Sequence, residues 1–135
     1  MEPLIHRAAG PADPAWFERT FAANGWTGAW RDTVYRWHHF HSTTHEVLGC
    51  HAGSARIQLG GPDGPVHDIT AGDVVVIPAG VAHCNLGASR DFGVVGAYPG
   101  GATPDMQQGD GDPLAAVPRP PADPVLGPGK GFAAA

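Results

Sequence analysis

The pattern of apolar and polar positions changes twice along the chain. Between residues 16 and 22, Trp16, Phe17, Phe21 and Ala22 recur at helical spacing, preceded by Asp13-Pro14 and followed by Asn24-Gly25. Asp and Pro in that order suit an N-cap and a first helical position, and Asn-Gly suits a stop. The pattern predicts one short amphipathic helix. From Trp30 onward it turns to short β-branched and aromatic runs: Thr33–His41, Glu46–His51, Ala55–Leu59, Val66–Ile69, Val74–Ile77, a segment beginning at His83, and Phe92–Tyr98. Val74–Ile77 is apolar throughout, which predicts burial on both faces. Turn residues at Gly60–Gly64, Ala71–Asp73 and Pro78–Gly80 separate the runs. Seven or eight short strands so punctuated predict an all-β antiparallel sandwich or barrel.

Either side of this region the pattern lapses. Residues 1–12 show no period and read as a loose N-terminal arm. After Tyr98, eight of the fourteen prolines fall between Pro99 and Pro128 among Gly, Ala and Asp, with few bulky apolar residues. That composition predicts an extended tail, either floppy or wrapped on its own barrel or a neighbouring subunit. The expected organisation is an arm (1–12), a helix-plus-barrel domain (13–98) and a tail (99–135).

Composition narrows the function classes. The 20 Gly and 14 Pro make up about a quarter of the 135 residues, close to low-complexity levels, but 42% hydrophobic content supplies a core. A net charge of −5, a single Lys (Lys130) and scattered Arg offer no basic stripe for nucleic acid. No apolar run reaches membrane-spanning length and no signal-like start is seen, so a soluble, cytoplasmic protein with reduced Cys50 and Cys84 is expected. The surplus is in histidine. Five of the eight, His38, His39, His41, His45 and His51, lie within fourteen residues.

His39 and His41 alternate on a segment read as a strand, so both imidazoles leave the same face. Glu46 opens the next strand, and His83 follows the Pro78-Ala79-Gly80 turn. A His-x-His pair alone is commonplace. Three imidazoles and a carboxylate converging inside a curled sheet suit one divalent first-row metal such as Fe, Mn, Ni, Cu or Zn.

The spacing carries a family resemblance. His39-Phe40-His41, four residues, Glu46, six residues and Gly53 match the first cupin motif except for its opening Gly, where Thr33 stands. Gly72, five residues, Pro78-Ala79-Gly80, two residues and His83 match the second, with Gly87 in place of its closing Asn. The chain thus resembles the cupin superfamily, and more closely the small bacterial YjlB-like cupins. The resemblance implies an antiparallel double-sheet jelly-roll barrel, with metal ligands at His39, His41, Glu46 and His83. His45, adjacent to Glu46, is the alternate fourth ligand if a bulge in Ser42–Thr44 turns it inward. Strand alternation nominates Tyr35 and Trp37 (with His39 and His41) and Leu48 and Cys50 (with Glu46) as pocket neighbours. His38 and His51 fall on the opposite face. Gly53, Gly72 and Gly80 are expected at sharp turns that exclude a Cβ.

The implied function is a metal-dependent enzyme acting on a small organic substrate, of dioxygenase type with Fe(II). The alternatives are a redox-neutral isomerase, decarboxylase or lyase, or a non-catalytic cupin that binds a small ligand or metal. Open antiparallel edges also lead us to expect a homodimer, with the helix and tail as contact pieces.

Overall fold

The computed structural model describes residues 1–111 and 114–135. The expected helix is present as α1 (Pro14–Ala23). The Asp13 carboxylate accepts the Ala15 amide at 3.1 Å, Pro14 sits in the first turn, and Asn24 closes the C-terminus. Twelve strands are described: β1 (Leu4–His6), β2 (Trp26–Asp32), β3 (His39–Phe40), β4 (Glu46–Ala52), β5 (Ser54–Leu59), β6 (Val66–Thr70), β7 (Val74–Ile77), β8 (His83–Ala88), β9 (Gly93–Pro99), β10 (Gln107–Gln108), β11 (Ala122–Asp123) and β12 (Gly127–Pro128). They form two antiparallel five-stranded sheets, ordered β1-β7-β4-β9-β2 and β10-β3-β8-β5-β6, plus the small β11-β12 ladder. The two sheets face each other as a jelly-roll barrel.

Alternation along β4 and β7 sorts the core into two layers. Leu48, Cys50, Val75, Ile77 and Val94 point between the sheets, where they meet Ile57, Leu59 and Ile69. Val47, Val74, Val76, Val95 and Ala97 point outward and are covered by Phe17 and Phe21 of the helix. The continuous apolar run of β7 is therefore buried on both faces, as its sequence predicts. Burying Phe17 and Phe21, both fully inaccessible, contributes about 1.5–3 kcal/mol each. The helix can approach this closely because Gly49 has no Cβ; one built there would lie 2.6 Å from Phe17 Cδ1.

Two expectations need correction. The first long strand is β2, over 26–32, whereas Thr33–His41 contributes only His39–Phe40. A register shift between Thr27 and Trp30, with Gly28 at φ +72°, breaks the alternation that would have marked β2. Residues 1–12 are not loose. Leu4–His6 pairs with the edge of β7, and Asp73 accepts the Ala8 amide and the Arg7 guanidinium at 2.9 and 3.0 Å.

Of the forms expected for the tail, the structure has the one wrapped on its own barrel. β10 joins the second sheet beside β3, and Phe132, in a 3-10 turn over Gly131–Ala133, enters the layer beneath the helix. Residues 112 and 113 of the expected tail lie outside the described residues. Of the predicted turn glycines, Gly53 (φ +68°), Gly72 (φ +103°) and Gly80 (φ +83°) all have positive φ. At Gly53 a Cβ would also stand 2.3 Å from Ser89 Oγ.

Candidate metal centre

The site forms where the two sheets converge. In the second sheet His39 and His83 are direct cross-strand partners on β3 and β8, so their rings come together, centroids 4.0 Å apart. His41 follows two residues after His39. From the opposite sheet, Glu46 at the start of β4 reaches across. Its Oε1 lies 3.1 Å from His83 Nε2 and 3.5 Å from His41 Nε2. One donor atom each from His41, Glu46 and His83 falls within 4.8 Å of the other two, and all three residues are buried. His39 is not in that group; it stands beside it, against the His83 ring.

The outer nitrogen of every ring is occupied. The Nδ1–H of His39 donates to the Trp37 carbonyl at 3.0 Å, that of His41 to the Asp105 carbonyl at 2.5 Å, and that of His83 to the Val81 carbonyl at 3.3 Å. A carbonyl can only accept, so each bond fixes the proton on Nδ1 and leaves Nε2 as the inward atom. This is the arrangement in which a metal-ligating imidazole is oriented by its other nitrogen. With neutral rings, Nε2 lone pairs of His41 and His83 would face the Glu46 carboxylate. A cation resolves that conflict, either a proton on a ring or a metal ion shared by the group.

The electrostatics agree. Burial of Glu46 works against its charge, but the bonds and charges of His41 and His83 outweigh it and hold its pKa below the usual carboxylate range. Burial likewise opposes a charged His41, yet Glu46 and the Asp105 carbonyl raise its pKa. His39 goes the other way, down to about 4, through burial and the neighbouring His83. A neutral His39 is the protonation state a metal ligand requires.

A cavity of about 290 Å³ opens from the site. Trp30, Val34, Leu48 and Tyr98 line it, and the exposed Arg31, Asp32, Thr33, Tyr35 and Met106 border it. Of the pocket neighbours expected from sequence, Leu48 and Tyr35 are there. Trp37 is not in the lining; it is 46% exposed and stacks on Tyr35 with ring centroids 4.5 Å apart. Cys50 is not in the lining either. It is fully buried in the core between the sheets, its thiol donating to the Ala52 carbonyl and pushed up to about 11 by burial. Cys50 and Cys84 are both free thiols.

His45 points away from the site. Its Nδ1 accepts the Ala79 amide at 2.9 Å, its Nε2 donates to the Pro118 carbonyl at 2.8 Å, and its ring packs edge-on against Phe132. Of the two candidates, Glu46 therefore occupies the cavity and His45 braces the tail. His51 lies on the far side of its strand, against Gly93.

Trp30, Tyr98 and Met106 were not singled out from the sequence. The signal for Tyr98 was available, since it shares strand parity with Val94, but Trp30 and Met106 reach the cavity through β2 and the returning tail.

The chain is 45% identical over 107 residues to the uncharacterized protein YjlB of Bacillus subtilis strain 168, covering 79% of this chain. The chain thus resembles YjlB, of whose length the match spans 65%. No family model matches the chain.

Among solved structures, a DUF861 family protein from Thermotoga maritima aligns with a TM-score of 0.46 and 18% identity, over 72% of this chain and 99% of that one. An acireductone dioxygenase from Bacillus anthracis, with a cadmium ion in its active centre, aligns with a TM-score of 0.45 and 17% identity, over 72% and 60%. Among the described residues, no helix is long and apolar enough to cross a membrane.

Proposed function

We propose that this chain is a cupin and a metal-dependent enzyme acting on a small organic substrate. One divalent transition metal would be held by His41, Glu46 and His83, with His39 completing the set. The observation that carries this reading is the hydrogen-bonded Nδ1 of His41 and His83, which leaves their Nε2 atoms facing the buried Glu46 carboxylate, with His39 bonded in the same way beside them. Three imidazoles and one carboxylate fit Fe, Mn, Ni, Cu or Zn and leave room in a six-coordinate shell for substrate or water. When bound, such a metal supplies Lewis-acid activation of a substrate oxygen or, as Fe(II), a site for O2-dependent chemistry. The chain's own contribution is to shape and dry the substrate space. Buried Val34 and Leu48 supply apolar walls, and the carbonyls of Trp37, Val81 and Asp105 hold the imidazoles in place.

Elemental analysis of purified protein tests the metal. About one equivalent per chain is expected, lost in His83→Ala and Glu46→Gln while circular dichroism stays unchanged. Full metal retention in both variants would sink the assignment. Oxygen consumption by Fe(II)-loaded protein with a catechol, diketone and thiol panel then tests the dioxygenase form, and no uptake with any of them favours the redox-neutral isomerase, decarboxylase or lyase class.

A further inference from the structure

Residues 33–38, between β2 and β3, form no strand, yet they are tied down beside the metal donors. The Asn85 amide of β8 donates to the Tyr35 carbonyl at 2.9 Å, and Asn85 Nδ2 donates to the Val34 carbonyl at 3.3 Å. At the far end the Trp37 carbonyl accepts from His39 Nδ1 at 3.0 Å. Asn85 is itself buried, and its Oδ1 accepts the Gly87 amide at 2.9 Å, so the side chain that holds the segment is held in turn. A short loop pinned in this way keeps its side chains at set positions relative to His39.

What the loop carries is an exposed aromatic stack. Tyr35 and Trp37 are each 46% exposed, their ring centroids 4.5 Å apart and their planes 14° from parallel. Trp37 covers one face of Tyr35 and lies outside the cavity lining. Tyr35 is in that lining, its ring perpendicular to the His39 ring at 5.1 Å. Tyr35 therefore gives the cavity the part of its ring that Trp37 leaves uncovered. Met106, also exposed, stands at the same opening. Large apolar groups scattered singly over a surface need no explanation, but three gathered at the mouth of one cavity point to a ligand.

The remaining walls favour a flat ligand as well. The first sheet contributes the rings of Trp30 and Tyr98. Gly96, opposite Trp30, has no side chain, and a Cβ there would fall 2.2 Å from the indole, so the ring settles onto the sheet. A ring packed against a ring gains about two- to twelvefold in affinity over an aliphatic group of equal area. At the roughly 30 Å³ a water takes up, 290 Å³ holds about ten non-hydrogen atoms, one ring with a short substituent. At the inner end, Glu46 and the histidines hold a cation, whether a ring proton or a metal ion, and either one attracts a substituent oxygen.

We infer that Tyr35 is the residue against which the substrate's ring stacks, with Trp37 as its support, and that the substrate is a single-ring aromatic compound whose oxygen substituent reaches His41, Glu46 and His83. This assignment rests on reading the cavity as the substrate site of the proposed enzyme, and it names the class of substrate.

Benzoate and cyclohexanecarboxylate test it, because they share a carboxylate and a count of non-hydrogen atoms and differ in the ring. The charge of the head group and the cation it meets cancel in the ratio of their affinities. Titrated by ligand-observed NMR into zinc-loaded, full-length protein, benzoate is expected to bind about three- to tenfold more tightly. Tyr35→Leu should bring that ratio to about one by weakening benzoate alone. Trp37→Leu keeps the Tyr35 ring but removes its backing, and should weaken benzoate about twofold; it decides the matter if Tyr35→Leu does not fold. Acetophenone and cyclohexyl methyl ketone, an uncharged pair, are expected to show the same preference in zinc-free protein. A wild-type ratio of one or less in both pairs, no binding by any of the four compounds, or a ratio unchanged in the variants overturns the assignment. Failure of the wild type to take up zinc would strike the metal-enzyme reading, and the ketone pair would still decide this one.

Discussion

Replacing Asp123 with Ala removes the acceptor around which the C-terminal segment closes. The residue is fully inaccessible. Its Oδ1 accepts the amides of Val125 and Leu126 at 2.8 and 2.9 Å, and its Oδ2 accepts the Phe132 amide at 2.8 Å and His6 Nε2 at 2.9 Å. Each bond to a charged acceptor contributes about 1.5–3 kcal/mol, but the four share one anchor and do not add. The net expectation is the loss seen when one partner of a buried pair is deleted, about 3–5 kcal/mol. For a chain of this size that lowers the midpoint of thermal unfolding by roughly 10–20 °C.

Asp123→Asn keeps Oδ1 but turns an amide NH2 toward two donors, so it should fall between wild type and Ala. Urea titrations followed by tryptophan fluorescence read both. Burial works against the Asp123 charge, but His6 and the three amides outweigh it and hold the pKa at about 2. A folded value below the unfolded one contributes stability that is complete above about pH 4 and lost as pH falls toward 2. That acid limb should flatten in Asp123→Ala. A variant within about 1 kcal/mol of wild type, with the same acid limb, is incompatible with an anchoring carboxylate.

Two further outcomes follow from close contacts and from the tail. Gly49→Ala places a Cβ 2.6 Å from Phe17 and 2.9 Å from Phe21, so overpacking should cost about 1–3 kcal/mol, read as a lower urea midpoint without loss of metal. Asp105 gathers Ser42, Thr43 and Gln107 with its carboxylate while its carbonyl holds His41 Nδ1. Asp105→Ala should therefore loosen His41 and weaken zinc binding about 10–100-fold in competition with a chromophoric chelator; unchanged affinity would separate the tail from the site.

The sequence was most informative where local pattern and tertiary role coincide. The helix and its limits followed from Asp13-Pro14 and Asn24-Gly25, and β7 from four apolar residues in a row. His39, His41, Glu46 and His83 share one cavity because strand parity and motif spacing both put them there. Parity also explains the errors. Cys50 does share the inward side of β4 with Glu46, but four residues at about 3.3 Å each carry it some 13 Å deeper, into the core. Face was legible and depth was not. Trp37 lies between β2 and β3, where no strand is present and alternation has no meaning. Choosing between His45 and Glu46 required knowing that Ala79 and Pro118 wait on the outer side to engage the imidazole.

The tail was least legible, for a chemical reason. Proline has no backbone donor, so a segment with eight of them cannot be held by a long ladder, and the described ladders there are two residues long. What orders the segment instead is a set of single anchors. Asp105 and Asp123 collect donors, while the carbonyls of Pro118, Ala122 and Pro124 accept from His45, Trp26 and Asn24. Each anchor makes at least one bond to a residue more than sixty positions away, and none leaves a periodic trace in the sequence. Prolines lower the entropy of the unfolded segment, so a few such bonds suffice to order it. A proline-rich stretch carrying isolated acidic residues thus has a second reading besides disorder, that of a strap pinned at points. Here one of those points, the Asp105 carbonyl, holds a histidine of the candidate metal centre.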